Sequence, residues 1–303
     1  MKIIFWGTPD FAVPSLKLLI ENNHQILVVV TAPDKERGRG QKLSFTPIKC
    51  FAIDNNIPVL QPDKLKDENF INHLKQFNAD LYVVVAFRIL PKEIFTIPKY
   101  GSFNLHASLL PKYRGAAPIQ WTLINGETET GVTTFALEDK VDTGNMYLQK
   151  RISILPEDNF GTLHDKLSVL GAEAVLETVS KIESGNVIPQ KQDDTLATPA
   201  PKITKEMMMI NWNLPAVKIH NLVRAFSPQP GAFFIHDGKI VKIFKAKIID
   251  DLLLKPGEFL ENNERLFVGC QDYPIEVLEI QFEGRKKMTA AEFLRGYSLI
   301  NNR

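Results

Sequence analysis

The run Phe103-Asn104-Leu105-His106 places an amide and an imidazole two positions apart. On a β-strand successive side chains point to opposite faces, so Asn104 and His106 share one face while Phe103 and Leu105 point the other way, into apolar packing. An amide can donate to an oxyanion without titrating, and an imidazole can give or take a proton near neutral pH. The spacing therefore allows acid–base chemistry beside an oxyanion, although a His beside an Asn at a strand end is more often only a satisfied polar pair.

Two loops elsewhere in the sequence favour the chemical interpretation. Residues 115–118 (Gly-Ala-Ala-Pro) and 141–144 (Val-Asp-Thr-Gly) are rich in small side chains, which let a backbone approach a ligand closely. The second loop also contributes Asp142, a carboxylate that could stabilise an imidazolium. We therefore expect Asn104, His106 and Asp142 to form one site.

The N-terminal part of the chain has the pattern of an α/β fold. Residues 2–6 and 25–30 are apolar runs, typical of parallel strands buried on both faces, and residues 11–21 between them have helical spacing. This unit lacks a Gly-x-Gly-x-x-Gly fingerprint, so the sequence does not support a dinucleotide site. With further strands at 81–85 and 100–106, the pattern predicts a Rossmann-like, mainly parallel sheet, in which ligands bind at the carboxyl ends of the strands.

The composition changes after residue 184. Residues 185–204 contain Gly and three Pro in a polar segment, which predicts a linker. Beyond it, short alternating runs predict a small OB-like β-barrel, a fold that often binds nucleic acid. We therefore predict a catalytic domain over 1–184, a linker over 185–204 and a barrel domain over 205–303.

The overall composition is that of a globular protein, with 44% hydrophobic and 23% charged residues in a chain of 303. No apolar run approaches the ~20 residues needed to span a bilayer, so no membrane partner is expected. Cys50 and Cys270 lie far apart and belong to no metal-binding motif, so we expect free thiols in a reducing cytoplasm and no metal.

A basic segment follows the second strand. The net charge of the chain is only +1, but residues 34–49 carry five Lys or Arg side chains against two Asp or Glu. Glycines punctuate this segment, which is predicted to be a long polar loop able to grip phosphates, or else simply a solvated surface loop. Its candidate phosphate ligands are Lys35, Arg37, Arg39 and Lys42.

Longer motifs resemble those of a known family. Residues 103–121 read Phe-Asn-Leu-His-Ala-Ser-Leu-Leu-Pro-Lys-Tyr-Arg-Gly-Ala-Ala-Pro-Ile-Gln-Trp, and Glu-Thr-Gly-Val-Thr-Thr (129–134) and Val-Asp-Thr-Gly-Asn-Met (141–146) follow. With the runs at 4–12, 37–40 and 224–228, they resemble the 10-formyltetrahydrofolate-dependent formyltransferases over nearly the whole chain. The Ser-Leu-Leu-Pro and Arg-Gly-Ala-Ala-Pro-Ile runs narrow the resemblance towards members that act on tRNA.

The resemblance implies roles for particular residues. Asn104, His106 and Asp142 match the family's catalytic residues, which suit acyl transfer between nitrogens without a metal or a covalent nucleophile. The donor would be 10-formyltetrahydrofolate, acting as a substrate. Its folate part would contact a loop at 137–142 and two further segments. The first segment is Ser108, Leu109, Leu110 and Pro111, and the second is Phe87, Arg88, Ile89 and Leu90. The segment 86–91 is one residue shorter than in many relatives and lacks their Gly, so its pterin contacts are expected to differ.

The resemblance also implies partners. The acceptor would be initiator methionyl-tRNA, contacted by the basic loop and by the barrel, and the enzyme is expected to be a cytoplasmic monomer. Two alternatives stay open at this point: another formyl-group enzyme, either a sugar N-formyltransferase or a formyltetrahydrofolate hydrolase, and a catalytically silent tRNA- or folate-binding protein. The intact Asn, His and Asp set argues against the silent protein.

Overall fold

The structure, a computed structural model, describes residues 1–37 and 42–300, which divide into two units. Unit 1 comprises residues 1–115, 129–152 and 164–200, and unit 2 comprises residues 116–128, 153–163 and the chain from 201 onwards. Each unit is therefore assembled from segments that are separated in the sequence. The domain boundaries expected at 184 and 205 stay predictions.

Unit 1 is built on a mainly parallel sheet. Its strands are β1 (Lys2–Gly7), β2 (Gln25–Val30), β3 (Lys35–Arg37), β4 (Lys42–Ser44), β5 (Val59–Leu60), β6 (Leu81–Val85), β7 (Ser102–His106), β8 (Arg114–Gly115), β9 (Glu129–Ala136), β10 (Met146–Ser153) and β11 (Pro199–Ala200). Within the described residues the main sheet has the order β10-β9-β7-β6-β1-β2-β5. Strands β7, β6, β1, β2 and β5 run parallel, and β9 pairs antiparallel with β7.

The strands at the centre of this sheet are buried on both faces. Every residue of β6 is buried, as are residues 3–6 of β1 and 28–30 of β2, which is why these strands appear in the sequence as continuous apolar runs. The helices that lie wholly in unit 1 include α1 (Val13–Glu21), α2 (Pro47–Asp54), α3 (Glu68–Gln76) and α4 (Lys92–Phe95). Helix α2 begins after Thr46, whose side chain accepts from the Lys49 N–H as an N-cap.

Unit 2 combines an antiparallel sheet with helices. Its strands are β12 (Ala232–His236), β13 (Lys239–Ile248), β14 (Phe259–Asn262), β15 (Arg265–Val268), β16 (Ile275–Phe282) and β17 (Met288–Thr289), with the main order β12-β13-β16-β15-β14. Its helices include α5 (Pro118–Asn125), α7 (Ala216–Ala225) and α8 (Ala290–Leu294), while the long α6 (Phe160–Glu183) begins in unit 2 and continues in unit 1. Helix α7 packs against α5 and against β13. The predicted fold class, a Rossmann-like sheet followed by a smaller β unit, is confirmed.

Some elements differ from the sequence-based expectation. The segment predicted to be a long loop contains the antiparallel hairpin of β3 and β4, which pairs Lys35 with Ser44. Strand β14 and helix α8 were not predicted, because four and five residues are too few for a hydrophobic period to stand out in the sequence. Among the described residues, no helix combines the length and the apolar character that crossing a membrane requires.

Candidate functional site

Strand β7 delivers two polar side chains to the carboxyl edge of the parallel sheet. Asn104 and His106 are its third and fifth residues, and they alternate with Phe103 and Leu105, which are 0% and 3% exposed. The strand lies between β6 and β9, with His106 opposite Thr133. The strand and its alternation were predicted correctly, because both follow from the period of two that every strand has.

The ring of His106 is oriented by a backbone carbonyl. Its Nε2 lies 2.8 Å from the carbonyl oxygen of Tyr113, and the side chain is 6% exposed. A carbonyl oxygen can only accept, so Nε2 must carry a proton, and Nδ1 is the nitrogen without one in the neutral ring. This Nδ1 lies 3.8 Å from Asp142 Oδ2, longer than a direct hydrogen bond but close enough for attraction to an imidazolium.

Asp142 reaches the imidazole from a loop between β9 and β10. Its backbone is left-handed, with φ +55°, and its carboxylate accepts a hydrogen bond of 2.8 Å from the N–H of Gly115. Gly115 is itself constrained, because its φ is +127° and an added Cβ would meet the carbonyl oxygen of Ala200 at 2.6 Å. Strand β8, which contains Gly115, and strand β11, which contains Ala200, therefore lie too close together for any side chain at position 115.

The amide of Asn104 stands apart from this hydrogen-bond network. Among residues 1–37 and 42–300 its side chain makes no hydrogen bond, and the residue is half-buried. Its two N–H donors are therefore available to a ligand. The structure thus brings the three predicted residues to one place, with the donors of Asn104 free and the contacts of His106 and Asp142 largely fixed.

The segment from Ser108 to Pro111 is held rigidly beside β7. Thr133 Oγ1 donates to the Ser108 carbonyl and accepts from the Leu110 N–H, while Ser108 Oγ donates to the Lys112 carbonyl at 2.6 Å. Ser108 is 0% and Leu110 3% exposed, whereas Leu109 and Pro111 are half-buried. The hydroxyl proton of Ser108 is therefore committed within the protein, so a ligand here meets mainly peptide groups and apolar side chains.

The short loop after β6 lies at the same edge of the sheet. Arg88 donates to the carbonyls of Pro62 and Asp63, Ile89 is 73% exposed, and Ala86 adopts a left-handed φ of +50°. Leu90 belongs to the buried apolar cluster of unit 1, and Phe87 and Leu137 pack against that cluster. The folate contacts expected of the loops 87–90 and 137–142 stay predictions.

The basic hairpin leaves the same edge of the sheet further away. It follows β2, which stands three strands from β7, or roughly 14 Å at about 4.8 Å per strand. At its base Lys49 pairs with Asp34, and hydrogen bonds from Lys49 and then Gln61 lower the pKa of Asp34. Of the predicted tRNA ligands, Lys35 is exposed, only the backbone of Arg37 and Lys42 is described, and Arg39 lies outside the described residues.

Two residues at the site were not predicted from the sequence. Gln192, from the segment predicted to be a linker, is 4% exposed and hydrogen-bonds to the Asp142 loop, and Arg114 hydrogen-bonds to Gln192. A buried glutamine in a polar, proline-rich segment gives no signal in sequence. Gln192 and Asp142 are 50 residues apart in the sequence, and only the fold brings them into contact.

Comparison with known proteins agrees with the fold. The formyl transferase family model matches residues 1–179, and the model of the formyl transferase C-terminal domain matches residues 202–298. Methionyl-tRNA formyltransferases of Caldanaerobacter subterraneus subsp. tengcongensis and Thermodesulfovibrio yellowstonii are 49% and 51% identical, over 99% and 97% of this chain and 98% and 95% of theirs. A solved structure of WlaRD, a sugar 3N-formyl transferase in the presence of dTDP and 5-N-formyl-THF, aligns with a TM-score of 0.69 at 25% identity, over 94% of this chain and 99% of that one.

The chain belongs to the formyl transferase family, and within it to the methionyl-tRNA formyltransferases. It is therefore an enzyme that transfers formyl groups. Its site, with an amide, an imidazole and a carboxylate at the edge of a parallel sheet, is suited to that reaction.

Proposed function

We propose that this enzyme transfers the formyl group of 10-formyltetrahydrofolate to the free amino group of initiator methionyl-tRNA, for translation initiation. The observation that carries the proposal is near full-length identity of 49% and 51% to two methionyl-tRNA formyltransferases. The cluster of Asn104, His106 and Asp142 supports it, because formyl transfer needs an oxyanion donor and a group that moves one proton.

In the proposed mechanism Asn104 stabilises the charge that develops on the formyl oxygen. The amino group of methionyl-tRNA must be neutral to attack the formyl carbon, and a carbon–nitrogen bond then forms while the carbonyl oxygen becomes negative. The Asn104 amide has no competing hydrogen bond among the described residues. Preorganised donors of this kind act without titrating, and removing one typically costs about 10²–10³-fold in rate.

His106 and Asp142 would move the proton. With Nε2–H held by the Tyr113 carbonyl at 2.8 Å, Nδ1 is the atom that takes the proton from the attacking nitrogen. The same atom can return that proton to the departing folate nitrogen as the old carbon–nitrogen bond breaks. Asp142, whose Oδ2 lies 3.8 Å from Nδ1, stabilises the imidazolium between the two transfers.

The folate would bind against two rigid segments. The residues proposed to contact it are Ser108, Leu109, Leu110 and Pro111, and Phe87, Arg88, Ile89 and Leu90, with the loop 137–142. Peptide groups and apolar side chains are what a pterin ring requires, and the shared apolar cluster of Phe87, Leu90 and Leu137 provides part of that surface. The folate supplies an activated formyl group, and these residues hold it beside Asn104.

The tRNA would contact Lys35, Arg37, Arg39 and Lys42 and the barrel domain proposed for residues 205–303. Residues 1–184 would form the catalytic domain and 185–204 the linker. A segment with four cations in eight positions, of which Lys35 is exposed, suits the phosphates of an RNA stem better than it suits a small sugar or water. We also propose that the enzyme works as a monomer in the cytoplasm.

A sugar N-formyltransferase is the second candidate, favoured by the structural similarity to WlaRD. A formyltetrahydrofolate hydrolase is the third. The experiment offers the purified enzyme 10-formyltetrahydrofolate together with methionyl-tRNA, a dTDP-linked amino sugar, or no acceptor. Formylmethionyl-tRNA as the main product supports the proposal; formylated sugar, or formate released at the same rate without an acceptor, would contradict it.

A further inference from the structure

Gln192 connects the loop of Asp142 to the rest of unit 1. Its Nε2 donates to the carbonyl of Asp142 at 2.9 Å and to the carbonyl of Gly144 at 2.8 Å. Its Oε1 accepts from Nε and Nη2 of Arg114, at 3.1 Å and 2.7 Å. Both donors of the amide and both lone pairs of its oxygen are therefore used.

The orientation of this amide is determined by its neighbours. Carbonyl oxygens only accept and a guanidinium only donates, so Nε2 must face the loop and Oε1 must face Arg114. The side chain is 4% exposed, so water does not compete for these four bonds. Losing them would leave the carbonyls of Asp142 and Gly144 without this donor, which is costly in a largely buried place, while Arg114 would keep its pair with Asp194.

The loop needs this support because it has little regular structure of its own. Asp142 is held at φ +55°, a conformation that side chains other than glycine adopt reluctantly. Gly144 lies so close to β9 that an added Cβ would overlap the carbonyl oxygen of Ala136, at 1.8 Å. A left-handed backbone persists where surrounding contacts determine it, and the bonds from Gln192 flank this one at residues 142 and 144.

Arg114 and Gly115 both support Asp142, one through its backbone and the other through its side chain. Arg114 orients Gln192, which binds the backbone of Asp142, while the N–H of the adjacent Gly115 binds the Asp142 carboxylate at 2.8 Å. Strand β8 is only two residues long, but it supports Asp142 in two ways. It reaches the Asp142 backbone through Gln192, and it binds the Asp142 carboxylate directly. Both attachments act on the residue whose carboxylate lies 3.8 Å from His106.

We infer that Gln192 is a positioning residue for catalysis, which sets the Asp142 carboxylate against His106 and contacts no substrate. The inference rests on the proposed function, in which Asp142 stabilises the His106 imidazolium. It assigns a role in the reaction to the segment whose composition indicated only a linker.

The first experiment is a double-mutant cycle between Gln192→Met and Asp142→Asn. Gln192→Met keeps the volume and removes all four hydrogen bonds, and we expect kcat to fall by about 10²-fold. In the Asp142→Asn background the same substitution should cost little more, because the carboxylate that it positions is already gone. Gln190→Met is the matched control, since Gln190 is exposed and pairs with Met146 only through its backbone.

The cycle separates this inference from the proposed function. If the enzyme acts on another acceptor, the proposed function fails, and the cycle can be run with that acceptor. If the wild type formylates methionyl-tRNA but Gln192→Met keeps its kcat, or costs as much with Asp142→Asn as without it, the positioning role is overturned.

A second variant and a second measurement guard against a folding defect. Gln192→Glu keeps an acceptor for Arg114 but cannot donate to the loop, so it should lose kcat as Gln192→Met does. Amide hydrogen exchange over residues 137–145 should speed up in both variants and stay unchanged in Gln190→Met. Unchanged hydrogen exchange in a folded Gln192 variant would show that the loop keeps its conformation without Gln192, and the positioning role would be overturned.

Discussion

The Nε2 atom of His106 lies 2.8 Å from the carbonyl oxygen of Tyr113, and this single contact decides which ring nitrogen is available for the proposed proton transfer. The proton on Nε2 is donated to the Tyr113 carbonyl oxygen, so Nε2 cannot accept a proton from a substrate. Nδ1, on the side of Asp142, is left as the reactive nitrogen. The tautomer is therefore set seven residues further along the chain, in the turn that leads into β8.

Replacing His106 should abolish most of the turnover without unfolding the protein. His106→Gln is the sharper variant, because the glutamine amide can still donate to the Tyr113 carbonyl but has no equivalent of Nδ1. We expect kcat on methionyl-tRNA to fall by about 10²–10⁴-fold, the usual cost of losing an acid–base group. Steady-state kinetics measure it, with circular dichroism as the check on folding.

His106→Ala serves as the companion variant for the same question. It loses both the reactive nitrogen and the bond to Tyr113, so it should be as inactive as His106→Gln and less stable. A folded variant of either kind with most of its turnover would rule out His106 as the proton carrier.

Asp142→Asn should impair turnover through charge alone. The asparagine oxygen can still accept from the Gly115 N–H, so the loop keeps this contact, but a neutral amide cannot stabilise an imidazolium. We expect a large fall in kcat and a change in the shape of the pH–rate profile. Asp54→Asn is the control, because Asp54 is an exposed carboxylate at the end of α2 and belongs to no proposed contact. Equal profiles for the wild type and Asp142→Asn would make Asp142 structural.

Gly115→Ala should destabilise unit 1 and reduce activity together. The new Cβ would meet the Ala200 carbonyl at 2.6 Å, at a φ of +127° that alanine seldom adopts. We expect a loss of about 3 kcal/mol or more in unfolding free energy, measured by chemical denaturation. Gly101→Ala separates the causes: its φ is +74° but nothing lies within 4 Å, so it should lose only about 1–2 kcal/mol. Similar losses in the two variants would mean that the close approach to Ala200 is unimportant.

The two cysteines should differ in reactivity. Cys50 is exposed and Cys270 is buried, and burial raises the pKa of Cys270 to about 12, with the charge of Asp272 adding to the effect. Only the thiolate is nucleophilic, so at pH 8 the native enzyme should react rapidly at one thiol and the denatured enzyme at two. The pKa of Cys270 is raised only in the folded state. Above about pH 8.5 the unfolded chain loses this thiol proton and the folded chain keeps it, so the free energy of unfolding falls as the pH rises. Two fast-reacting thiols in the native enzyme would contradict this placement of Cys270.

Removing the cations of the basic hairpin should weaken tRNA binding in a salt-dependent way. Each phosphate contact contributes about 0.7–0.9 to the slope of log affinity against log salt, so a variant with Lys35, Arg37, Arg39 and Lys42 changed to Gln should have a shallower slope. Folate binding should be unaffected. Lys64→Gln with Lys66→Gln, two exposed lysines elsewhere in unit 1, is the matched control. An unchanged slope in the hairpin variant, or a parallel fall in folate binding, would end the proposal.

The parts of the fold that could be predicted are those that depend on local periodicity. Strand β7, with Asn104 and His106 on one face, follows from alternation, and β6 follows from a continuous apolar run. In each case one period in the sequence determines which side chains are buried.

The parts that could not be predicted depend on contacts between distant segments. The two-residue strands β8 and β11 pair across 85 residues of sequence, and Tyr113 N–H donates to Thr198 Oγ1 across the same separation. Helix α5 packs on α7, which is why it belongs to unit 2 although the chain around it belongs to unit 1. A hairpin at 35–44 was predicted to be a loop, since Gly, Lys and Arg are poor strand formers by composition.

The link between Gln192 and Asp142 also has a consequence for the order of events during synthesis. A polypeptide leaves the ribosome from its N-terminus, so Asn104, His106 and Asp142 are all present 50 residues before the glutamine that fixes the last of them. At about 5–20 residues per second, this interval lasts roughly 3–10 seconds. During that time the nascent chain carries every proposed catalytic side chain but lacks the amide that holds the aspartate. The site is therefore among the last parts of unit 1 to be completed.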